Sequence, residues 1–522
     1  MRPIDYFDKG ADAFPERAAI LDSHARFSYR EARQASRRIA RAMSANGLRG
    51  GDRVALFAPN DARVLLCMLG MWRAGGVWVP VNHRNALDAN AQYMSYAGTS
   101  WLFYHSSFRA QVDSLKARVP TLRHLVCVDA ADGEHPSLDQ FMAQGGAENE
   151  VDWCDPHTNP DGLVGIIPTG GTTGPAKGVM MTNLAWGTMT EMGAHYWRRD
   201  DIDPVCLGTA PLTHAAGVVA MVAFAFGATN VIMPGFEAGE VLRNIERHRV
   251  THLFLPPTAF YALLAHPDLR KHDYSSLRIF LLAASPVSAE KFRAGVEVFG
   301  PCMCQCYGQT ESPMLLTWLD PATVAAAAAG VHPERLASCG KPTYAVRVAI
   351  MDDAGRILPA GERGEIVARG NLVAAGYYEL PEATAEIRGH GWHHTGDVGY
   401  LDEDGYIYIV DRKKDMIITG GFNVYSAEVE SCVMELPQVR ECAVIGVPHD
   451  TWGEAVTAIV ALREGMSLAP QAVIAHCKER LGGVKAPKTV EFAAEIARTP
   501  NGKVDKKALR KRYWAGAERN VH

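Results

Sequence analysis

Helix-length and strand-length apolar patterns alternate along most of this chain, and that alternation restricts the fold more than any single residue does. "FSYREARQASRRIARAMSANGL" has the period of an amphipathic helix that stops at Gly47, and "DRVALFA" then reads as a buried strand. "ARVLLCMLGMWRAGG" is a second helix with a glycine stop, followed by the strand-like "VWVPV". The order repeats in "VLRNIERHRV" and "THLFLPP", and again in "EKFRAGVEVFG" and "MCQCYG". Such a rhythm predicts an α/β architecture with mostly parallel sheets. At 522 residues the chain implies more than one domain.

From about Gly340 the texture changes to short strands and turns: "VRVAIMDDAGRIL", "GEIVARG" and "GYIYIVD". Turn signals at Asp353 and Asp404 predict hairpins between strand-like runs. After "DRKKD", Asp411 to Asp415, a compact α+β pattern continues to the end. The expected organisation is a large N-terminal domain over residues 1–411, holding parallel-type sheets with helices plus a small β-rich subdomain, and a mobile small α+β C-terminal domain over 412–522. The charged segment between them suits an exposed boundary. "AAAAAG", Ala325 to Gly330, reads as part of a helix or a surface insertion.

Composition excludes several classes. A net charge of −5, from 53 basic and 58 acidic residues, implies no broad basic field and so no nucleic-acid partner. The start, "MRPIDYFDKGADAFPER", is charged and lacks the apolar core of a signal peptide. "GVVAMVAFAFGA" is too short to span a bilayer and reads as core. The last residues, "ERNVH", are not the peroxisomal address. A cytoplasmic location without a transmembrane segment is expected, with the oligomeric state open between monomer and homodimer. Eleven cysteines without a framework spacing are expected to be reduced thiols. In "CMCQC", Cys302 to Cys306, alternate spacing suits a buried strand face better than a metal site.

Chemistry enters at "PTGGTTGPAKGVMMT", Pro168 to Thr182. "LVGII" reads as a buried strand feeding the glycine-rich stretch, and a helix-like run follows near "TNLAWGTMTEMGAHYW". Strand, glycine-rich turn and helix form a context in which backbone N–H groups converge on phosphate oxygens. Gly170, Gly171 and Gly174 let the main chain come close, Thr169, Thr172 and Thr173 add hydroxyls, and Lys177 adds a compact positive charge. A Walker A loop is excluded, because Lys177 stands between Ala176 and Gly178. Composition alone leaves a phosphate cradle and a flexible surface loop both open.

The stretch resembles the signature loop of the adenylate-forming superfamily: acyl-CoA synthetases, peptide-synthetase adenylation domains and firefly-type luciferases. Ala176 stands where proline is usual, which loosens the loop and is expected to weaken ATP binding at most, and Gly170 stands where serine is common. Further stretches are similar to motifs of the same superfamily, in the same order and over nearly the whole chain. They are "APLTHAAG" from Ala210, "LLAASPVS" from Leu281, "YGQTE" from Tyr307, "HTGDVGYLDEDGY" from His394, "VDRKKDMIITGGFNVYSAEVE" from Val410 and "RTPNGKVDKKALR" from Arg498.

The resemblance implies a two-step reaction: a carboxylate and ATP give acyl-AMP and pyrophosphate, and the CoA thiol then displaces AMP. It implies Mg²⁺ as cofactor, with ATP and CoA as cosubstrates. Glu311 is expected to hold the metal and Thr310 to bond the α-phosphate or carboxylate. Tyr307 is expected beside adenine, together with Ala284 and Ser285, and Asp397 on both ribose hydroxyls. Arg412 would reach ribose or phosphate, Lys414 would be the hinge, and Lys503 would enter the site only for adenylation. Lys506, Lys507, Arg510, Lys511 and Arg512 are expected to form a solvated helix face. Gly420 and Gly421 would let the pantetheine arm of CoA pass close to the backbone. His214 would act at the carboxylate or acyl site as a catalytic residue and, with Ala283, Cys306 and Gly308, line the acyl pocket; a satisfied core histidine is the alternative reading of His214.

Ala283, Ala284 and Cys306 add bulk where glycine is frequent in the superfamily, and no arginine stands at 306 to meet a second carboxylate. An apolar monocarboxylate is expected: medium-chain fatty, cyclic or aromatic. "GGFNVYSAEVE" favours CoA as acceptor over a carrier-protein thiol. A luciferase-like monooxygenase and a non-catalytic adenylate sensor are the readings from other classes, the latter disfavoured by the presence of both Glu311 and Lys503.

Overall fold

Both large sheets of the computed structural model, which describes residues 1–130, 133–145, 159–169, 176–213, 215–498 and 504–514, are mainly parallel. In a six-stranded sheet, His124–Cys127, Trp101–Tyr104, Arg53–Phe57, Val77–Pro80 and Leu163–Pro168 lie side by side in parallel, and Gly178–Thr182 closes one edge antiparallel. A nine-stranded sheet has a parallel middle made of Met303–Tyr307, Ile279–Leu282, His252–Leu255, Val205–Gly208, Thr229–Ile232 and Ala18–Leu21. Antiparallel Thr317–Leu319 and Lys341–Pro342 flank it on one side and Arg26–Ser28 on the other. Inner strands such as Val77–Pro80 and Ile279–Leu282 are buried at every position, which is why they read as continuous apolar runs.

Helices seat on these sheets through signals local to their sequences. Helix Tyr29–Ala45 starts with a capping box, in which Ser28 Oγ accepts the Glu31 N–H and the Glu31 carboxylate accepts the Ser28 N–H at 2.8 Å. Its buried side includes Tyr29, Ala32, Ser36, Ile39 and Met43, the 3.6-residue stripe of the sequence pattern. Helix Ala62–Arg73 is buried almost all round, so its sequence is apolar almost all round. At its end Arg73, only 3% exposed, makes a two-pronged pair with Asp8 at 2.9 and 2.7 Å and donates to Ser36 Oγ at 3.0 Å. That guanidinium joins three helices, and a cation buried so deeply is tolerable only with such partners.

The chain divides into two compact units. The larger holds Met1–Thr169, Pro175–Val348 and Ala368–His393, and the smaller holds Ala349–Val367 and His394–His522. Strands Val346–Met351, Gly364–Gly370 and Trp392–Leu401 each contribute residues to both. In the smaller unit the long hairpin Val439–His449 and Gly453–Leu462 pairs with Ile417–Thr419 and, in parallel, with Thr489–Phe492. Helices Ser426–Met434 and Pro470–Lys485 pack on it through Val429, Val433 and Val473. His476 Nε2 lies 3.1 Å from both the Cys432 carbonyl and Glu435 Oε2, and Arg480 engages the same carboxylate, so this Cys–Glu–His group satisfies itself.

The two hairpin turns form, but earlier aspartates close them than expected. Asp352 Oδ1 accepts the N–H groups of Ala354 and Arg356 at 3.0 and 2.8 Å, and Asp402 Oδ1 accepts those of Asp404 and Tyr406 at 3.0 and 2.8 Å. The carboxylate must sit at the first turn position to reach both amides, while Gly355 and Gly405 take the left-handed position with φ of 81° each. The alanine run lies mostly in helix Pro321–Ala328. Among the described residues no helix is long and apolar enough to cross a membrane. The described cysteines are free and buried. Cys304 and Cys306 lie on strand Met303–Tyr307 with Cys302 just before it, and burial pushes the Cys302 and Cys306 thiols up to about 12.

Helices Tyr29–Ala45 and Ala62–Arg73 approach so closely that a Cβ on Gly70 would lie 2.4 Å from Ile39 Cγ2. Gly70→Ala is expected to cost about 1–3 kcal/mol through overpacking, despite the better helix propensity of alanine. Thermal unfolding checks this, and Ile39→Ala in the same chain should recover part of the loss.

Candidate active site

The glycine-rich stretch joins two strands and does not lead into a helix, which corrects the expected strand–turn–helix context. Gly178–Thr182 pairs antiparallel with Leu163–Pro168, setting Val179 opposite Ile167 and Gly178 opposite Pro168. The helix begins only at Asn183, where Thr182 Oγ1 accepts the Ala185 N–H at 3.2 Å. Gly170, Gly171, Thr172, Thr173 and Gly174 lie outside the described residues. The base of the loop is closed by the Thr169 N–H on the Lys177 carbonyl at 2.9 Å and the Lys177 N–H on Thr169 Oγ1 at 3.2 Å. The entering strand is held from behind: Trp72 Nε1 donates to the Val164 carbonyl at 2.9 Å and the Tyr93 hydroxyl to that of Ile166 at 2.8 Å.

The extended segment Ala374–Tyr378 runs along the free edge of Gly178–Thr182. Met180 N–H donates to the Gly376 carbonyl at 2.8 Å, Ala375 N–H to that of Met180 at 3.0 Å, and Tyr378 N–H to that of Gly178 at 2.7 Å. Its first residue turns to the other large sheet, where the Ala374 N–H donates to the Glu311 carbonyl at 2.8 Å. This path sets Tyr377 between two charged groups. Its hydroxyl donates to Glu311 Oε1 at 2.6 Å, and Lys177 Nζ lies 4.8 Å from its ring centroid. Burial and the Glu311 carboxylate both raise the Tyr377 pKa, so the phenol stays a donor.

Glu311 and Thr310 lie at the tip of a tight turn after strand Met303–Tyr307. Gln309 and Ser312 exchange backbone hydrogen bonds at 3.0 and 3.3 Å, and Leu316 N–H returns to the Tyr307 carbonyl at 2.9 Å. Gly308 is obligatory, because a Cβ there would lie 2.5 Å from the Met314 nitrogen. Tyr307 and Cys306 are buried in the strand, and Ala283 is half-buried at the end of the neighbouring one. Ala284 and Ser285 are exposed, and Ala284 has a φ of 76°. A side chain in that left-handed position is strained, so alanine here sits where glycine would be easier. His214 lies outside the described residues. Its motif glycine, Gly217, packs on the Leu212 carbonyl, which a Cβ would approach to 2.0 Å.

In the smaller unit two expected ribose and phosphate ligands meet. Strand Ile407–Arg412 pairs with Trp392–Leu401 so that Asp397 faces Arg412, with Nε 3.7 Å from Oδ1. Asp397 is 7% exposed, and its N–H donates to Thr395 Oγ1 at 3.1 Å. Next to it Glu365, unassigned from sequence, accepts the Gly396 N–H at 3.0 Å and lies 3.1 Å from His394 Nδ1 and 3.2 Å from Lys413 Nζ. Burial would raise the Glu365 pKa, but His394, Lys413 and the Gly396 amide outweigh it and hold the carboxyl ionised. Lys414 is exposed in a short 3₁₀ turn, Lys413–Asp415. Gly420 and Gly421 have φ of 57° and 81°, and the Gly420 N–H donates to the Trp452 carbonyl at 2.9 Å. Both glycines are exposed, and Trp452 is partly so, with His449 stacked on it at 4.7 Å.

Lys503 lies outside the described residues. The solvated face expected after it is wrong at two positions: Lys506 and Arg510 are only 14% and 13% exposed and are ion-paired with Glu430 and Asp415. A charge run reads as solvated only when nothing of opposite sign packs on it, and here two other elements supply carboxylates. Tyr377, Glu365 and this cluster were missed from sequence. The only available signal was the double tyrosine Tyr377–Tyr378 following glycine, which carries no motif of its own.

Residues 7–378 match the family model described as AMP-binding enzyme, and residues 428–503 match that described as AMP-binding enzyme C-terminal domain. A medium/long-chain-fatty-acid–CoA ligase of Mycobacterium tuberculosis is 37% identical over 496 residues, covering 92% of this chain and 84% of its own. A feruloyl-CoA synthase of an Amycolatopsis species is 35% identical over 522 residues, covering 97% of this chain and 99% of its own. Among solved structures, the amide bond synthetase McbA from Marinactinospora thermotolerans superposes with a TM-score of 0.87 at 30% identity, covering 98% of this chain and all of that one.

The Tyr377–Glu311 bond joins a phenol to a carboxylate, so removing one partner leaves the other poorly paired. A double-mutant cycle with Tyr377→Phe and Glu311→Gln is expected to return a coupling of about 1–2 kcal/mol in unfolding free energy. Denaturant titration of the four proteins measures it.

Proposed function

The chain belongs to the AMP-binding enzyme family, and from that premise we propose that this acid–CoA ligase activates an apolar monocarboxylate, a medium-chain fatty, cyclic or aromatic acid. The observation that carries the substrate class is the neutral lining expected for the acyl pocket. Cys306 is buried with its thiol pushed up to about 12, Ala216 and Ala283 are apolar, and no cation stands at these positions to meet a second carboxylate. Pocket residues this small trim a substrate range by about 1–3 kcal/mol per methylene without naming one acid.

In the first step a carboxylate oxygen attacks the α-phosphorus of ATP and the bond to the β-phosphate bridge breaks, releasing pyrophosphate. In the second the CoA sulfur attacks the acyl carbon, its proton is lost, and the bond to AMP breaks. Neither step needs a protein nucleophile, so the protein's work is alignment and charge stabilisation. We assign the loop from Thr169 to Lys177 to the phosphates, Thr310 to the α-phosphate or carboxylate, and Tyr307, Ala284 and Ser285 to adenine. Asp397 and Arg412 take the ribose, Lys414 the hinge at a 411/412 boundary, and Gly420 and Gly421 the passage of pantetheine. Glu311 fits a hard cation: Tyr377 fixes its Oε1, and among the described residues no hydrogen bond takes Oε2, the oxygen that would hold Mg²⁺. Bound there, Mg²⁺ would neutralise phosphate charge. We assign the reaction to the cytoplasm.

Incubation with ATP, Mg²⁺ and a panel of aliphatic, cyclic and aromatic acids, with and without CoA, tests this by mass spectrometry. An acyl-CoA product is expected for one apolar class. Acyl-AMP that accumulates and ignores CoA would move the acceptor to a carrier-protein thiol or an amine, and turnover of dicarboxylates alone would overturn the substrate class. Lys503→Ala is expected to cut acyl-AMP formation by about 10²–10³-fold while sparing thioester formation from supplied acyl-AMP. Lys414→Pro should do the reverse, and separate assays of the half-reactions read both.

A further inference from the structure

The short helix Lys506–Lys511 follows directly on the segment that bears Lys503. Six residues are far fewer than the roughly 12–15 that hold a helix together unaided in water, so its order depends on what it touches. Two side chains one turn apart make the connection. Lys506 Nζ lies 2.7 Å from Glu430 Oε1 and donates to Ser426 Oγ at 2.6 Å. Arg510 Nη2 donates to Asp415 Oδ1 at 2.9 Å. Ser426 Oγ donates onward to Asp411 Oδ2 at 2.7 Å, an oxygen that also accepts the N–H groups of Ser426 and, at 3.3 Å, Ala427. The helix is therefore bound to both ends of the Asp411–Asp415 run and to the first turn of helix Ser426–Met434. On the other side, Arg498 and Val504 form an antiparallel bridge and the Asp505 N–H donates to the Ala497 carbonyl at 2.8 Å.

The charges match this arrangement. Burial would lower the Lys506 pKa, but Glu430, Asp411 and Asp415 outweigh it and keep the ammonium charged; at Glu430 itself burial outweighs Lys506 and pushes the carboxyl up. Burial would raise Asp415, and Lys506 with Arg510 outweighs that too. A solvated helix face would need none of this, and packing alone would be served better by apolar residues of equal volume.

We infer that Lys506 and Arg510 are positioning residues for the adenylation step, fastening helix Lys506–Lys511, which begins three residues after Lys503, to the bend around Lys414. The inference rests on the acid–CoA ligase reading and on its assignment of Lys503 to adenylation. Lys506 is given over to Glu430 and Ser426, and Arg510 to Asp415, so their part is to position.

The test uses the full chain with octanoate, ATP, Mg²⁺ and synthetic octanoyl-AMP. Lys506→Met strands Glu430, so the double variant Lys506→Met/Glu430→Gln is made beside it to remove both charges and preserve folding. In the double variant, octanoyl-AMP formation is expected to fall by about 10–100-fold, the scale of an ångström-sized misplacement, while thioester formation from supplied octanoyl-AMP stays within about threefold. Lys506→Arg should restore most of the loss. Amide hydrogen exchange should rise over 504–514 and stay unchanged in helix Pro470–Lys485. Equal losses in both half-reactions, or unaltered exchange over 504–514, would overturn the inference. Failure of the unmodified protein to form octanoyl-AMP would count against the ligase reading for that acid only, and the exchange measurement would still decide the tether.

Discussion

The site in the larger unit depends on a strip of backbone five residues long. Ala374–Tyr378 bonds to Gly178 and Met180 along one edge and to Glu311 at its start, so one extended segment spans the hairpin of the six-stranded sheet and the turn of the nine-stranded one. Backbone hydrogen bonds of this kind are directional, and each group left unpaired under protein would cost more than the bond contributes. The strip therefore has little freedom in register, and the position of Tyr377 follows. Its phenol in turn fixes one oxygen of Glu311 and offers its ring face to Lys177. Two motifs separated by more than a hundred residues are held in one arrangement by a segment that belongs to neither.

The larger unit is made stiff behind this strip. Trp72 and Tyr93 hold the carbonyls of the strand that enters the glycine-rich loop, and Arg73 ties together three helices through Asp8 and Ser36. Against this stiff frame Ala284 is strained, held at φ 76° on the exposed turn assigned to adenine.

How much was readable depended on whether the deciding interaction was local. Helices such as Tyr29–Ala45 and strands such as Val77–Pro80 follow from period and burial, which neighbouring residues specify. The strand Gly178–Thr182 has no place in the sequence reading, because a stretch as short as Val179, Met180 and Met181 ahead of a helical run has no period of its own. Tyr377 was invisible for a different reason: its role comes from edge pairing across nearly two hundred residues. Asp397 and Arg412 were named by resemblance, yet their placement opposite each other is a matter of strand register that spacing alone does not show. Lys506 and Arg510 were misread because a run of cations looks the same whether water or carboxylates face it. The turns at Asp352 and Asp402 were missed by one or two positions, since the residue that closes such a turn precedes its glycine by three.

The described cysteines have a consequence for an enzyme that handles a free thiol. Each is buried, and burial raises the thiols of Cys67, Cys206, Cys304 and Cys306, so thiolate is scarce and poorly accessible at these positions. Thiol–disulfide exchange needs an exposed thiolate to attack or an exposed disulfide to be attacked, and these side chains offer neither. CoA, reduced or oxidised, would find no mixed-disulfide partner among them. None of the described cysteines competes with the cosubstrate for the sulfur chemistry of the second half-reaction.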